Sequence, residues 1–242
     1  TISIAERRKL EQFPQISAKT VFNGTFFNKF NKYTTDQFVL REEFRKLKIN
    51  AEFNLLRKSD YNNLYQYGDY IISQTYPLNE KSVLNISKKI NQIYEQYLTD
   101  QNNVYFTIVP DKNYFINDEN LKLDYNKLEN LLNRNLSFAK YIRIFDMLEL
   151  EDYYKTDTHW KQERLLKVAK TIAESMNVNL ENEYKEKTIC DFQGTYSGQL
   201  PISTAKDKIK ILTNSEIEKS KVYNYETKEY SGIYNLNKIN SL

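Results

Sequence analysis

Val104-Tyr105-Phe106-Thr107-Ile108-Val109 is a nearly unbroken apolar run stopped by Pro110-Asp111. A strand that is apolar on both sides of its pleat has both faces buried, the habit of parallel sheets covered by helices. The flanks agree. Val83, Ile86, Ile90, Ile93, Tyr94, Tyr97 and Leu98 recur at helical steps and stop at Asn102-Asn103, and Leu121 to Leu136 reads as a second helix. Tyr141 to Leu148 then reads as another strand. Lys161 to Met176, carrying Leu165, Leu166, Val168, Ala169, Ile172 and Ala173, reads as another helix. This alternation predicts an α/β fold with a parallel sheet and right-handed crossovers. Ligands of such sheets bind outside the carboxyl ends of the strands, so the loops that follow them are where a site is expected.

Around this centre the pattern changes twice. Residues 1–60 read as a helical, exposed N-terminal arm interrupted near Pro14, and residues 61–242 as the α/β domain. In the arm, Phe38, Phe44, Leu47, Ala51, Phe53, Leu55 and Leu56 trace one face, with Arg41, Glu42, Glu43, Arg45, Lys46 and Lys48 between them. The polar face mixes both charge signs, which favours packing on its own domain over a membrane surface. Leu64 to Tyr67 and Tyr70 to Ile72 flank Gly68-Asp69 as two short strands of a tight hairpin. After Thr188 come turn residues (Gly194, Gly198, Pro201) and one alternating strand at Lys208 to Leu212.

Composition removes several kinds of chemistry. Thirty-five Lys+Arg against 32 Asp+Glu leave a formal charge of +3, too little for a protein whose affinity would rest on many phosphate contacts, so nucleic acid is not an expected partner. One Cys excludes an internal disulfide, and one Cys with one His cannot build a zinc or iron–sulfur centre, so no metal and no cofactor is expected. Asp111 to Lys122 has acidic or polar residues at the spacing of a calcium loop but lacks its turn glycine and closing Glu. No apolar run approaches the roughly 18 residues that cross a bilayer.

The lone imidazole stands in Tyr153-Tyr154-Lys155-Thr156-Asp157-Thr158-His159-Trp160, between a predicted strand and a predicted helix. Side chains two apart in an extended or turn segment point the same way, so the Asp157 carboxylate can reach the His159 ring. Such a pair makes an oriented general base: the carboxylate fixes the tautomer and stabilises the imidazolium formed in the reaction. The same Asp-x-His at a helix start also serves as a cap and packing device, and the residues alone leave both readings open. Trp160 and the two tyrosines add an aromatic rim suited to a sugar face.

Tyr153 to Trp160 resembles the signature of the DHHW proteins, bacterial relatives of the SGNH hydrolases and of the alginate O-acetylation proteins. Ala5-Glu6-Arg7-Arg8-Lys9-Leu10 with Pro14, the stretch from Phe30 to Arg41 with Asp36-Gln37-Phe38, Val109-Pro110-Asp111-Lys112, and Asp191-Phe192-Gln193-Gly194-Thr195-Tyr196 carry the likeness along the chain. The resemblance implies an SGNH-like three-layer α/β/α domain with a mostly parallel sheet. It further implies a Ser-His-Asp triad acting on acyl esters, typically acetyl on a polysaccharide. His159 takes the part of the base and Asp157 of its orienter.

The nucleophile does not transfer. In this family it comes after the Asp-x-His motif in an Asp-Ser-Tyr or similar element, and none follows Trp160, so the chain is expected to lack its last strands. Ser197, in a glycine-flanked loop, and Ser59 are the substitutes within the sequence. Lys112, after Pro110, is read either as a ligand for an anionic or carbonyl oxygen or as a surface lysine, and Asp146 as a second residue facing the cleft. Substrate contacts are thus expected at Trp160, Tyr154 and Lys112. By resemblance the protein is an extracytoplasmic O-acetyltransferase or acetylesterase of the bacterial cell surface. It would be anchored through a segment outside this sequence and would work with a polysaccharide and a membrane-bound acyl-transfer partner. A non-catalytic glycan-binding or assembly protein on the same fold is the alternative.

Overall fold

A computed structural model describes residues 2–3, 8–117, 121–180, 183–202 and 205–236. Ala5, Glu6 and Arg7 of the N-terminal element, part of the Asp111 to Lys122 run and the end of the tail lie outside the described residues. The chain divides into two compact units, Thr1–His159 with Gln193–Asp207 and Trp160–Phe192 with Lys208–Leu242.

The first unit opens with β1 (Ile2–Ser3) and β2 (Arg8–Lys9), paired antiparallel, and then α1 (Ala18–Phe22), α2 (Thr25–Asp36) and α3 (Arg41–Asn50), which runs into a π turn at Ala51–Leu55. The arm is helical but segmented. Gly24 at φ 75° separates α1 from α2, and Leu40 at φ 58° separates α2 from α3, each in the left-handed region that no helix can continue through. Phe38 therefore precedes α3 rather than lying on it.

β3 (Leu64–Tyr67) and β4 (Tyr70–Ser73) form the expected hairpin around Gly68, which sits at φ 55°. Both faces of β4 are covered. Ile71 packs with Ile49, Leu64 and Leu200, while Ile72 packs with Tyr65 and Ile116. Side chains of this size are each worth about 1.5–3 kcal/mol when fully buried, so the hairpin is the brace of the unit.

α4 (Glu80–Tyr97), β5 (Val104–Phe106), α5 (Tyr125–Asn135) and β6 (Ala139–Tyr141) follow in the expected order. Asn79 caps α4 by accepting the Ser82 N–H, and Asp124 caps α5 by accepting the Lys127 N–H. β5 and β6 are parallel, with Val104 opposite Ala139 and Phe106 opposite Tyr141. Tyr94 of α4 stacks on Phe138, in the turn between α5 and β6, at 3.9 Å between ring centres.

Both strands are shorter than their apolar runs. Beyond Phe106 the Thr107 hydroxyl takes the Ile142 carbonyl at 2.7 Å, a bond a ladder N–H would otherwise make, and Pro110 has no N–H to give. Beyond Tyr141 the chain coils into 3-10 turns at Phe145–Met147 and Leu150–Asp152. Ile108, Ile142, Ile144 and Phe145 are buried all the same, so hydrophobicity persists where the ladder stops. Among the described residues the paired strands make two-stranded sheets, and the architecture is mixed α/β rather than one mostly parallel sheet.

In the second unit a 3-10 turn at Gln162–Arg164 precedes α6 (Leu166–Ser175), and β7 (Lys185–Phe192) follows. α7 (Thr195–Gln199) returns to the first unit. β8 (Asp207–Thr213) pairs with β7, and α8 (Ser215–Lys219) and the antiparallel β9 (Lys221–Asn224) and β10 (Glu229–Gly232) complete the described chain. No helix among the described residues is long and apolar enough to cross a membrane.

Candidate active site

The segment Tyr153–His159 has no regular structure, yet every backbone N–H and carbonyl from Tyr154 to Thr156 is engaged. The Tyr154 N–H donates to the His159 carbonyl at 3.0 Å and closes the loop on itself. The Ile71 N–H of β4 donates to the Lys155 carbonyl at 2.8 Å. Tyr153 is buried and its hydroxyl donates to the Pro110 carbonyl at 2.6 Å. Asp207, the first residue of β8, accepts from the N–H of Lys155 on one oxygen and from the N–H and hydroxyl of Thr156 on the other, at 2.7–2.8 Å. A buried carboxylate with three donors is fully satisfied, and it holds the loop as a cap holds a helix start.

The turn before α7 supplies the second clamp. The Gly194 N–H donates to the Thr156 hydroxyl at 2.8 Å, and the Tyr196 N–H to the Thr156 carbonyl at 3.0 Å. Gly194 has φ −78° and ψ 176°, which any residue adopts. Its requirement is for space: a Cβ there would stand 2.4 Å from both the Asp157 Cβ and the Thr156 carbonyl oxygen.

These contacts present one pair of side chains. His159 Nδ1 lies 2.5 Å from Asp157 Oδ1, with the imidazole 76% exposed and the carboxylate 5% exposed. The His159 N–H also donates to Oδ1 at 3.2 Å, and the other oxygen accepts from the Thr195 N–H at 3.0 Å and its hydroxyl at 3.3 Å. Burial pushes the Asp157 carboxyl up, but the hydrogen bonds from Thr195 and His159 outweigh it and hold the group below the ordinary carboxylate range. An ionised carboxylate only accepts, so the proton of the neutral ring sits on Nδ1. Nε2 then carries a lone pair and faces outward on an exposed ring. A ring so oriented can take a proton from a hydroxyl and return it, with its tautomer enforced from below. Regular helix starts only at Leu166, so His159 is not a helix-capping residue.

The other expected site residues are placed as follows. Lys112 is buried, with its ammonium donating to the carbonyls of Ile71 at 2.5 Å, Tyr154 at 3.0 Å and Lys155 at 3.3 Å and lying 5.1 Å from the Tyr196 ring centre. It braces the backbone of the His159 loop. Tyr154 is half-buried in that loop, and Trp160 opens the second unit. Asp146 is exposed and paired with Arg143 at 2.6 Å. Ser197 lies in α7, not in a loop, and its hydroxyl donates to the Gly194 carbonyl at 2.7 Å. Ser59 is exposed between α3 and β3. Sequence reasoning missed Thr156, Thr195 and Asp207, the residues that fix Asp157. The glycine of Asp191-Phe192-Gln193-Gly194-Thr195 was a visible signal, but nothing in the sequence said what approached it.

No family model and no curated protein matches the sequence. Among solved structures, a DHHW family protein from Eubacterium siraeum is similar with a TM-score of 0.53 at 18% identity, over 64% of this chain and 56% of that one. PatB1 of Bacillus cereus is similar with a TM-score of 0.50 at 13% identity, over 73% of this chain and 66% of that one. The chain thus spans between about half and two thirds of the proteins it resembles, and what is shared is a DHHW-like fold.

Proposed function

We propose that the chain is an SGNH-like acyl-ester enzyme, related to the alginate O-acetylation proteins, that transfers acetyl to or removes it from an extracytoplasmic polysaccharide. One observation carries the reading: an exposed imidazole held at 2.5 Å by a buried carboxylate whose other oxygen is fixed by Thr195. A capping or packing histidine has no need of that exposure. In the reaction His159 takes the proton of the hydroxyl that attacks the acyl carbonyl and delivers it to the leaving oxygen, and Asp157 keeps Nδ1 protonated and stabilises the imidazolium. Lys112 acts through the loop backbone that its ammonium gathers. The helical arm of residues 1–60 and the domain of residues 61–242 remain the division we propose for function.

Incubating the full-length protein with a chromogenic acetyl ester, with and without an oligosaccharide acceptor, tests this. His159→Ala is expected to cut turnover on the order of 10²–10⁴-fold. Undiminished turnover in that variant would overturn the assignment. The rival reading, a glycan-binding protein without turnover, is favoured by the engagement of the Ser197 hydroxyl with the Gly194 carbonyl. It predicts saturable oligosaccharide binding and no ester cleavage.

A further inference from the structure

We infer that the α1–α2 arm is a docking surface for an anionic phospholipid bilayer, which it meets with a cluster of aromatic rings backed by lysines on the opposite side of α2. From Gln12 to Thr35 the chain contains Lys19, Lys29 and Lys32 and no carboxylate, although acidic and basic residues are nearly balanced overall. The same stretch holds Phe13, Ile16, Val21, Phe22, Phe26, Phe27, Phe30 and Tyr33. Asp36 closes α2, but it is buried and bound by Arg8 at 2.7 Å and approached by Arg41 at 3.6 Å, so it presents no negative charge outward.

The rings pack on one another rather than into a core. Phe13 meets Phe26, Phe30 and Tyr33 edge-on at 5.4–6.5 Å, Phe26 stacks on Phe30 at 5.8 Å, and Phe27 leans on Phe26 at 5.5 Å. Asp36 is the one residue of α2 that is buried, and Phe22, Ile16, Phe27 and Phe13 are 90%, 67%, 58% and 55% exposed. An exposed apolar patch of this kind marks an interaction surface. Two features select its partner. Rings already stacked and edge-packed offer no flat platform for a sugar, whereas Phe and Ile side chains immerse readily among acyl chains at the depth of an interfacial helix. Lys29 and Lys32 lie on the side of α2 away from Phe27 and Phe30, and all three lysines are exposed, so they can stay at the headgroups while the rings go under. The mixed charge that argues against a membrane for Arg41 to Lys48 is absent here.

Co-sedimentation of the whole chain with vesicles tests the inference. Binding is expected to vesicles of equal parts phosphatidylglycerol and phosphatidylcholine, with little to phosphatidylcholine alone and a fall as salt is raised. Lys19→Gln/Lys29→Gln/Lys32→Gln should weaken it on the order of 100-fold, from about 1 kcal/mol per lysine near an anionic surface. Phe22→Ser/Phe27→Ser, at exposed positions, should abolish it while leaving the circular dichroism spectrum unchanged. No binding to anionic vesicles, or binding that both variants retain, would overturn the inference. So would a concentration-dependent dimer in analytical ultracentrifugation that Phe22→Ser/Phe27→Ser dissolves, since a second copy would then be the occupant.

Discussion

Gly194→Ala puts the architecture of the His159 loop to a direct test. The added methyl would lie 2.4 Å from the Thr156 carbonyl oxygen and the Asp157 Cβ, and 2.7 Å from Asp157 Oδ2. Ordinary contact needs about 1 Å more, and the nearest of these atoms are backbone or the first carbon of a buried side chain, so neither can swing away. The displacement strains three hydrogen bonds: Gly194 to the Thr156 hydroxyl, Tyr196 to the Thr156 carbonyl, and Thr195 to the Asp157 carboxylate. Two neutral bonds at about 1 kcal/mol each and one to a charge at about 1.5–3 kcal/mol, partly relaxed, give an expected loss of about 2–4 kcal/mol. Urea denaturation measures it. Gly232→Ala is the control, because its Cβ would meet only the Tyr234 carbonyl at 3.9 Å, and there a change within about 0.5 kcal/mol is expected. His159 being the chain's single histidine, its Nδ1 proton gives an unambiguous downfield resonance, expected to be lost in Gly194→Ala. A Gly194→Ala protein with wild-type stability and an unchanged imidazole spectrum would refute the close-approach reasoning.

Other perturbations follow from the same contacts. Lys112→Met should cost about 3 kcal/mol in thermal or urea unfolding, since it removes the charged donor from the buried Ile71 carbonyl and from the part-buried carbonyls of Tyr154 and Lys155. Leu200→Ala, at a side chain with no exposure in the Ile49–Leu64–Ile71 cluster, should cost about 2–5 kcal/mol by the same measurement. Asp36 is held well below the usual carboxylate range, first by the hydrogen bond from Arg8 and against the opposing effect of burial. A carboxyl lowered in the folded state contributes stability that is whole above its unfolded value of about 3.9 and is lost as pH falls through the folded one. Asp36→Asn should therefore flatten the acid limb of the stability curve below about pH 4 and leave its slope at neutral pH unchanged. Asp157→Asn should shift His159 toward the Nε2–H tautomer, read by nitrogen chemical shifts, because the amide can donate to Nδ1 where the carboxylate could only accept.

What could be read without coordinates was whatever a short window of chain decides. Helical spacing located α4, α5 and α6, a glycine between alternating residues located the β3–β4 hairpin, and the two-residue step from Asp157 to His159 announced the pair that the structure brings to 2.5 Å. Apolar runs announced burial correctly at Ile108 and Ile144 but overstated the strands, because burial and ladder pairing are separate events and only pairing needs a partner strand in register. Left-handed Leu40 cut the arm's apolar face in two with no glycine to give warning. The tertiary structure alone decided that Lys112 is a buried brace and that Gly194 is needed for space and not for its φ. It alone decided that Asp157 owes its fixed position to Thr195, 38 residues away. Local propensity and period act over a turn or a strand, whereas the satisfaction of a buried charge depends on donors that only folding brings together.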